Sequence, residues 1–122
     1  MNKGYYKELI VRQKSMDLFM AVYSITSHFP KEEIYGLTAQ IKRAVISIPS
    51  NIAEGSKRSS RKDFCHFLYT AYGSGAELET QIEIAKRLSF CTQEEFAKCE
   101  SLLSEVMKML NKLIDQLEID IA

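Results

Sequence analysis

Residues 37–55 read Leu37-Thr38-Ala39-Gln40-Ile41-Lys42-Arg43-Ala44-Val45-Ile46-Ser47-Ile48-Pro49-Ser50-Asn51-Ile52-Ala53-Glu54-Gly55. Leu37, Ile41, Ala44, Ile48 and Ile52 recur at the spacing that keeps side chains on one face of an α-helix. Pro49 falls inside this pattern. An interior proline removes one backbone donor and crowds the preceding turn, so it ends a helix or kinks it. The apolar period resumes on the same face at Ile52. The stretch therefore predicts one helix over residues 35–55, kinked between Val45 and Ile48, with Gly55 as its C-terminal stop.

The same period extends outward in both directions. Over residues 8–28, Leu18, Val22, Ile25 and Phe29 form a stripe that Met16, Phe19 and Tyr23 widen. Phe29-Pro30 ends this segment, because a residue before proline avoids the α region. Pro30-Lys31-Glu32-Glu33 opens a short extra turn. Over residues 60–88, Phe64, Phe67, Ala71, Gly75, Leu78, Ile82 and Ala85 align, joined by Leu68 and Tyr72. Ser60 and Asp63 resemble a short-armed capping box at its start. Gly73 and Gly75 lie mid-helix, where each costs about 1 kcal/mol relative to alanine. Keeping both predicts a tight helix–helix crossing. A fourth segment opens with the capping box Thr92-Gln93-Glu94-Glu95. Phe96, Cys99, Leu102 or Leu103, Val106, Met109 or Leu110, Leu113 and Leu117 carry its stripe, and residues 118–122 are expected to fray.

Long helices joined by short turns pack antiparallel. The expected fold is all-α: a single domain over residues 1–122, an up-down four-helix bundle with a proline kink in the second helix. With 122 residues, 46% apolar and 26% charged, the chain can bury a core and is not a disordered one. Ile10, Val11, Tyr23, Val45, Tyr69, Tyr72, Ile84 and Ile114 lie outside the main stripes. One bundle interior is not expected to hide them all, so self-association is expected. No apolar run reaches membrane-span length, and Met1-Asn2-Lys3-Gly4-Tyr5-Tyr6-Lys7 lacks the apolar core of a secretory leader. The expected location is cytoplasmic, with no membrane partner.

The formal net charge is zero, from 16 Lys+Arg and 16 Asp+Glu, but the charges are segregated. Residues 1–62 hold 11 cations and 5 anions, a net of +6; residues 63–122 hold 5 and 11, a net of −6. Such asymmetry reads either as complementary helices packed together or as a local basic binding face. The densest cluster is Lys57-Arg58-Ser59-Ser60-Arg61-Lys62. Helix N-termini carry free N–H groups that favour anions such as phosphate. The candidate nucleic-acid-binding residues are therefore Lys57, Arg58, Arg61 and Lys62, extended by Lys42 and Arg43.

Cys65, Cys91 and Cys99 show no paired spacing, and His28 and His66 have no companion motif, so neither a metal site nor a cofactor is expected. Dinucleotide, P-loop and nucleophile-elbow patterns are absent. Glu77 and Glu79, two residues apart, point to different sides of a helix.

The run Phe29-Pro30-Lys31-Glu32-Glu33, then Leu37 to Ala44, then Ser47-Ile48-Pro49-Ser50-Asn51-Ile52-Ala53-Glu54-Gly55 carries a family resemblance. It continues through Phe64, Phe67-Leu68, Gly73-Ser74 and Glu77-Leu78-Glu79-Thr80-Gln81. This resembles the four-helix-bundle proteins encoded in intervening sequences of bacterial 23S ribosomal RNA genes. It is also similar to the accessory variability proteins of diversity-generating retroelements. The resemblance implies a homo-pentameric ring. For the retroelement relatives it further implies a basic surface that binds nucleic acid and a partner reverse transcriptase.

The expected function is a non-enzymatic oligomeric module that contacts RNA or DNA through the local basic cluster. The alternative is a protein-interaction scaffold without nucleic acid, in which Glu54, Glu77 and Glu79 pair with Arg43 or Arg58. A third reading takes Arg61 and His66, at Arg-x4-His spacing, as similar to the motif of HEPN-type helical ribonucleases.

Overall fold

The structure, a computed structural model, describes residues 6–122. Residues 1–5, on which the leader reading partly rests, lie outside it. The described chain forms α1 (Tyr6–Thr26), a 3-10 turn (Lys31–Glu33), α2 (Leu37–Ser56), α3 (Arg61–Arg87) and α4 (Gln93–Ile121). Each helix packs on its neighbours in sequence, and α4 closes against α1, while α1/α3 and α2/α4 stay apart on the diagonals. Tight turns at residues 57–60 and 88–92 reverse the chain. The architecture is the expected up-down bundle. None of its described helices is long and apolar enough to cross a membrane.

The core follows the predicted stripes. Leu18, Val22 and Ile25 of α1 meet Ile41, Ala44, Ile48 and Ile52 of α2, Phe64, Leu68, Leu78 and Ile82 of α3, and Phe96, Val106, Leu113 and Leu117 of α4 in one buried cluster. Leu103 and Leu110 take the buried positions that the period left open, with Leu102 and Met109 on the flank. Two expectations are corrected. Val11, Val45 and Ile114, placed outside the stripes, are buried. Met16 and Tyr23, read as widening the α1 stripe, face outward and are 48% and 46% exposed. Each helix touches two neighbours, so its buried sector is wider than a single stripe and is centred differently.

Pro49 is buried, and α2 runs through it without a break. Around it the α2/α3 seam is hydrogen-bonded. Asn51 Nδ2 donates to Ser47 O at 2.8 Å and to Ser47 Oγ at 2.9 Å, and Ser47 Oγ lies 2.8 Å from Ser74 Oγ on α3. Gly55 does not stop the helix, which continues to Ser56. Its role is close approach: a Cβ there would lie 2.7 Å from Phe67 Cβ and 3.0 Å from Phe64 Cδ1. The mid-helix glycines of α3 differ. Gly75 lies under the Met107 thioether of α4, whereas a Cβ on Gly73 would meet nothing within 4 Å. Only one of the pair supports the expected tight crossing.

The helix ends are set by local chemistry. Glu33 Oε1 accepts the Leu37 N–H at 3.2 Å, so α2 begins two residues later than expected. Ser60 Oγ accepts the Asp63 N–H at the start of α3. At the end of α3, Ser89 takes a left-handed backbone (φ 58°), and Phe90 N–H reaches back to Ala85 O at 3.1 Å. That reversal seats Phe90 on Phe29, ring centres 5.2 Å apart. Thr92 and Glu95 form the predicted reciprocal capping box. The fraying expected over residues 118–122 is not seen: α4 is helical to Ile121, and Tyr69 Oη donates to Glu118 at 2.7 Å.

The two glycine environments predict opposite outcomes in urea denaturation. Gly55→Ala forces a Cβ against rigid Phe67 and is expected to destabilise by about 1–3 kcal/mol. Gly73→Ala, with open space around it, is expected to stabilise by up to about 1 kcal/mol through helix propensity alone.

Candidate functional site

The basic cluster sits on the turn between α2 and α3. Lys57, which caps α2, and Arg58, Arg61 and Lys62 are all exposed. Arg58 is the most fixed of them. Its Nη2 lies 2.6 Å from Glu54 Oε2 one turn earlier, and its guanidinium stacks over the Phe67 ring at 4.6 Å. Asp63 stands in the first turn of α3, so Glu54 and Asp63 offset part of the cluster.

Lys42 and Arg43 do not join it. They precede Lys57 by fourteen to fifteen residues, on the order of 20 Å along the helix axis at 1.5 Å per residue. Lys42 is half-buried and lies over the Tyr23 ring of α1 at 4.4 Å, while Arg43 is exposed. Arg58 takes Glu54 as its partner, as the scaffold reading expected of that pair. Arg61 and His66 are about 140° apart around α3 at 100° per residue, so they do not converge on one phosphate. His66 is exposed and its ring meets Phe67 edge-on.

The charge segregation survives folding as two opposed faces. Arg12–Glu8, Arg58–Glu54, Arg87–Glu83 and Lys86–Glu100 each pair within one half of the chain. Lys14 reaches across to Glu105 at 3.4 Å. α1 and α2 are neighbours and lie opposite α3 and α4. Within the helices, α1 and α2 carry five cations against three anions, and α3 and α4 seven against eleven, so one side is mildly basic and the other acidic.

The α1/α2 side also carries apolar surface. Leu9, Met16, Met20 and Tyr23 fall on one outward stripe of α1, between 46% and 64% exposed. Beside it, Arg12, Met16, Ile46, Pro49 and Ala53 line a shallow groove between the two helices. On the α3/α4 side lies a groove of about 780 Å³. Its walls include Tyr72, Ile84 and Met107, with Glu79, Glu83 and Glu100 against Arg87 and Lys108.

At one end of the bundle, three residues distant in sequence come together. His28 Nδ1 lies 3.0 Å from Glu95 Oε2, and a donor atom from each of His28, Cys91 and Glu95 lies within 4.8 Å of the others. Among the described residues this is the group able to hold a metal ion. Spacing rules missed it because His28 lies just beyond α1, Cys91 in the α3–α4 turn and Glu95 in the first turn of α4. The single local signal was the Cys91–Glu95 interval of one helical turn. Burial pushes the Cys91 and Cys99 thiols up to about 11 and raises Cys65, so the three are neutral thiols rather than activated nucleophiles.

A family model described as 23S rRNA-intervening sequence protein matches residues 7–112. Among solved structures, the fold is similar to a crystal structure of a protein of unknown function from the S23 ribosomal protein family of Bacteroides thetaiotaomicron. That likeness has a TM-score of 0.82 at 26% identity and covers 89% of this chain and 98% of that one. No curated protein matches the chain.

The packing of Arg58 separates it from its basic neighbours. Arg58→Ala is expected to destabilise by about 1 kcal/mol, through loss of an exposed cation–π contact and an i,i+4 pair. Lys62→Ala is expected to stay within about 0.5 kcal/mol of the parent. Thermal or urea denaturation distinguishes them.

Proposed function

The chain belongs to the 23S rRNA-intervening sequence protein family, and from that premise we propose that it is a cytoplasmic, non-enzymatic, self-assembling scaffold. The observation that carries this reading is the pair of opposed, complementary faces. The α1/α2 side presents an apolar stripe and excess positive charge; the α3/α4 side presents a long groove and excess negative charge. A face that complements a different face of the same molecule makes a head-to-tail contact, which closes into a ring where the rotation between copies divides a full turn. The pentamer implied by the family resemblance is one such closure. Apolar contact supplies most of the affinity, while the opposed charges set orientation and suppress wrong pairings.

A second reading adds nucleic acid. Lys57, Arg58, Arg61 and Lys62 on the exposed α2–α3 turn support contact with a phosphate backbone, repeated once per subunit around a ring. This reading extends the sequence resemblance to a role like that of retroelement accessory proteins, with a reverse transcriptase as the proposed protein partner. Lys42 and Arg43 belong to the α1/α2 side and, in this proposal, contribute to the subunit contact instead.

Light scattering tests the assembly. The parent chain is expected at a multiple of 14.0 kDa, five-fold for a pentamer. Met16→Lys/Met20→Lys, which alters only exposed positions, is expected to give a single-chain mass with an unchanged helical spectrum. A parent mass of one chain at micromolar concentration overturns the proposal.

Binding to single- and double-stranded nucleic acid across a salt series tests the second reading. Affinity is expected to fall with salt and to be lost in the Lys57/Arg58/Arg61/Lys62→Ala variant. Binding that the variant retains, or none at low salt, removes nucleic acid and leaves the scaffold.

A further inference from the structure

We propose that His28 Nδ1, Cys91 Sγ and Glu95 Oε2 form a binding site for a borderline-soft divalent ion of the Zn²⁺ class, with water completing the tetrahedron. This departs from the expectation, drawn from cysteine and histidine spacing, that the chain has no metal site.

The donor set is the first argument. Imidazole nitrogen, thiolate sulfur and carboxylate oxygen are the three kinds of ligand that zinc takes in proteins. The thiolate disfavours hard ions such as Mg²⁺ and Ca²⁺, which want oxygen.

Orientation is the second. The ligands are held by partners that leave their metal-facing atoms pointing at one another. Glu95 Oε1 accepts the Thr92 N–H at 3.1 Å and Thr92 Oγ1 at 2.9 Å, which turns Oε2 toward His28. Those bonds also keep the carboxylate below its ordinary range and ionised. Cys91 Sγ and the His28 backbone N–H both point at the same acceptor, Ile25 O, at 3.2 and 3.0 Å. The Phe29–Phe90 ring contact holds the two flanking segments together. Outer partners of this kind fix ligand geometry at metal sites.

Size and access are the third. Zinc bonds of roughly 2.0–2.3 Å place ligand atoms about 3.3–3.8 Å apart. The His28–Glu95 pair, at 3.0 Å, opens slightly to reach this, and the thiol closes in from a separation of no more than 4.8 Å. His28 is exposed and Glu95 is at the surface, which leaves an entry path and an open fourth position. On binding, the Cys91 thiol gives its proton to solvent and exchanges the bond to Ile25 O for the metal. The Nδ1–H of His28 that faces Glu95 Oε2 is also released to solvent, so that the bound ring carries its proton on Nε2 and offers its Nδ1 lone pair to the metal. The bound ion ties the end of α1 to the α3–α4 turn and the first turn of α4.

Cobalt(II) titration of the reduced full chain tests this. One equivalent is expected to give a thiolate-to-cobalt charge-transfer band in the near ultraviolet with tetrahedral bands in the visible, and Zn²⁺ is expected to displace it. The charge-transfer band is expected to vanish in Cys91→Ser. His28→Ala, at an exposed position that leaves the fold intact, is expected to weaken binding at least about tenfold. Circular dichroism of each metal-free variant confirms folding. A parent protein without the charge-transfer band at stoichiometric cobalt overturns the proposal. So does a band that persists in Cys91→Ser, which would place the thiolate at Cys65 or Cys99, or affinity unchanged in His28→Ala.

Discussion

The close approach of α2 to α3 is the constraint on which the rest of the bundle depends. Gly55 brings the α2 backbone against Phe64 and Phe67. One helical turn of polar contacts, Asn51 to Ser47 to Ser74, then fixes register along the seam. A buried polar group without a partner costs about 1–3 kcal/mol, so a slipped register that stranded these groups is disfavoured as well as poorly packed. The Ser47–Gly55 run is thus structural. Its serine and asparagine hold a helix pair together, its proline sits buried within α2, and its glycine sets the distance.

That seam also decides where the charges go. With α2 locked to α3, the turn between them must be tight, and Lys57 and Arg58 on it, with Arg61 and Lys62 at the start of α3, are left on the outside. Arg58 is drawn back onto Phe67 and Glu54, which makes it as much a packing residue as a ligand candidate. Lys7, Arg12 and Lys14 lie along α1 and Lys42 and Arg43 along α2, opposite the carboxylates of α3 and α4. A neutral total therefore describes a molecule with two oppositely charged sides. Among the described residues Lys14–Glu105 and His28–Glu95 pair across the two halves. Neutralisation between copies is what the proposed head-to-tail contact supplies.

The helices and their order were legible because heptad-like spacing, two capping signals and the Phe29-Pro30 break act locally. The continuation of α2 through Pro49 was legible for the same reason: Ile48 and Ile52 share a face that a broken helix would not preserve. Facing was less legible. Val11 and Val45 are buried while Met16 and Tyr23 are outside. A stripe read from one helix does not say how two flanking helices rotate it. The His28–Cys91–Glu95 group was not legible at all, since its geometry is created by tertiary packing at the bundle end rather than by spacing in any one segment.

The helix whose facing was hardest to read is informative for that reason. An amphipathic surface helix has one apolar side, and α2 and α4 conform to this. On α1 the apolar residues form two opposite stripes: Leu18, Val22 and Ile25 inward, Leu9, Met16, Met20 and Tyr23 outward. A helix with a second apolar stripe has a second side to bury. Inside a single bundle α1 has neighbours only at α2 and α4. Its outward residues are not isolated methyl groups scattered over the surface but a continuous row beside the groove lined by Ile46 and Pro49. Lys42 lies across Tyr23 at the edge of that row, its alkyl stem covering apolar surface and its charge held near the rim. A row of that composition, rimmed by cations and facing away from its own core, is the arrangement expected of an interface core with a polar rim.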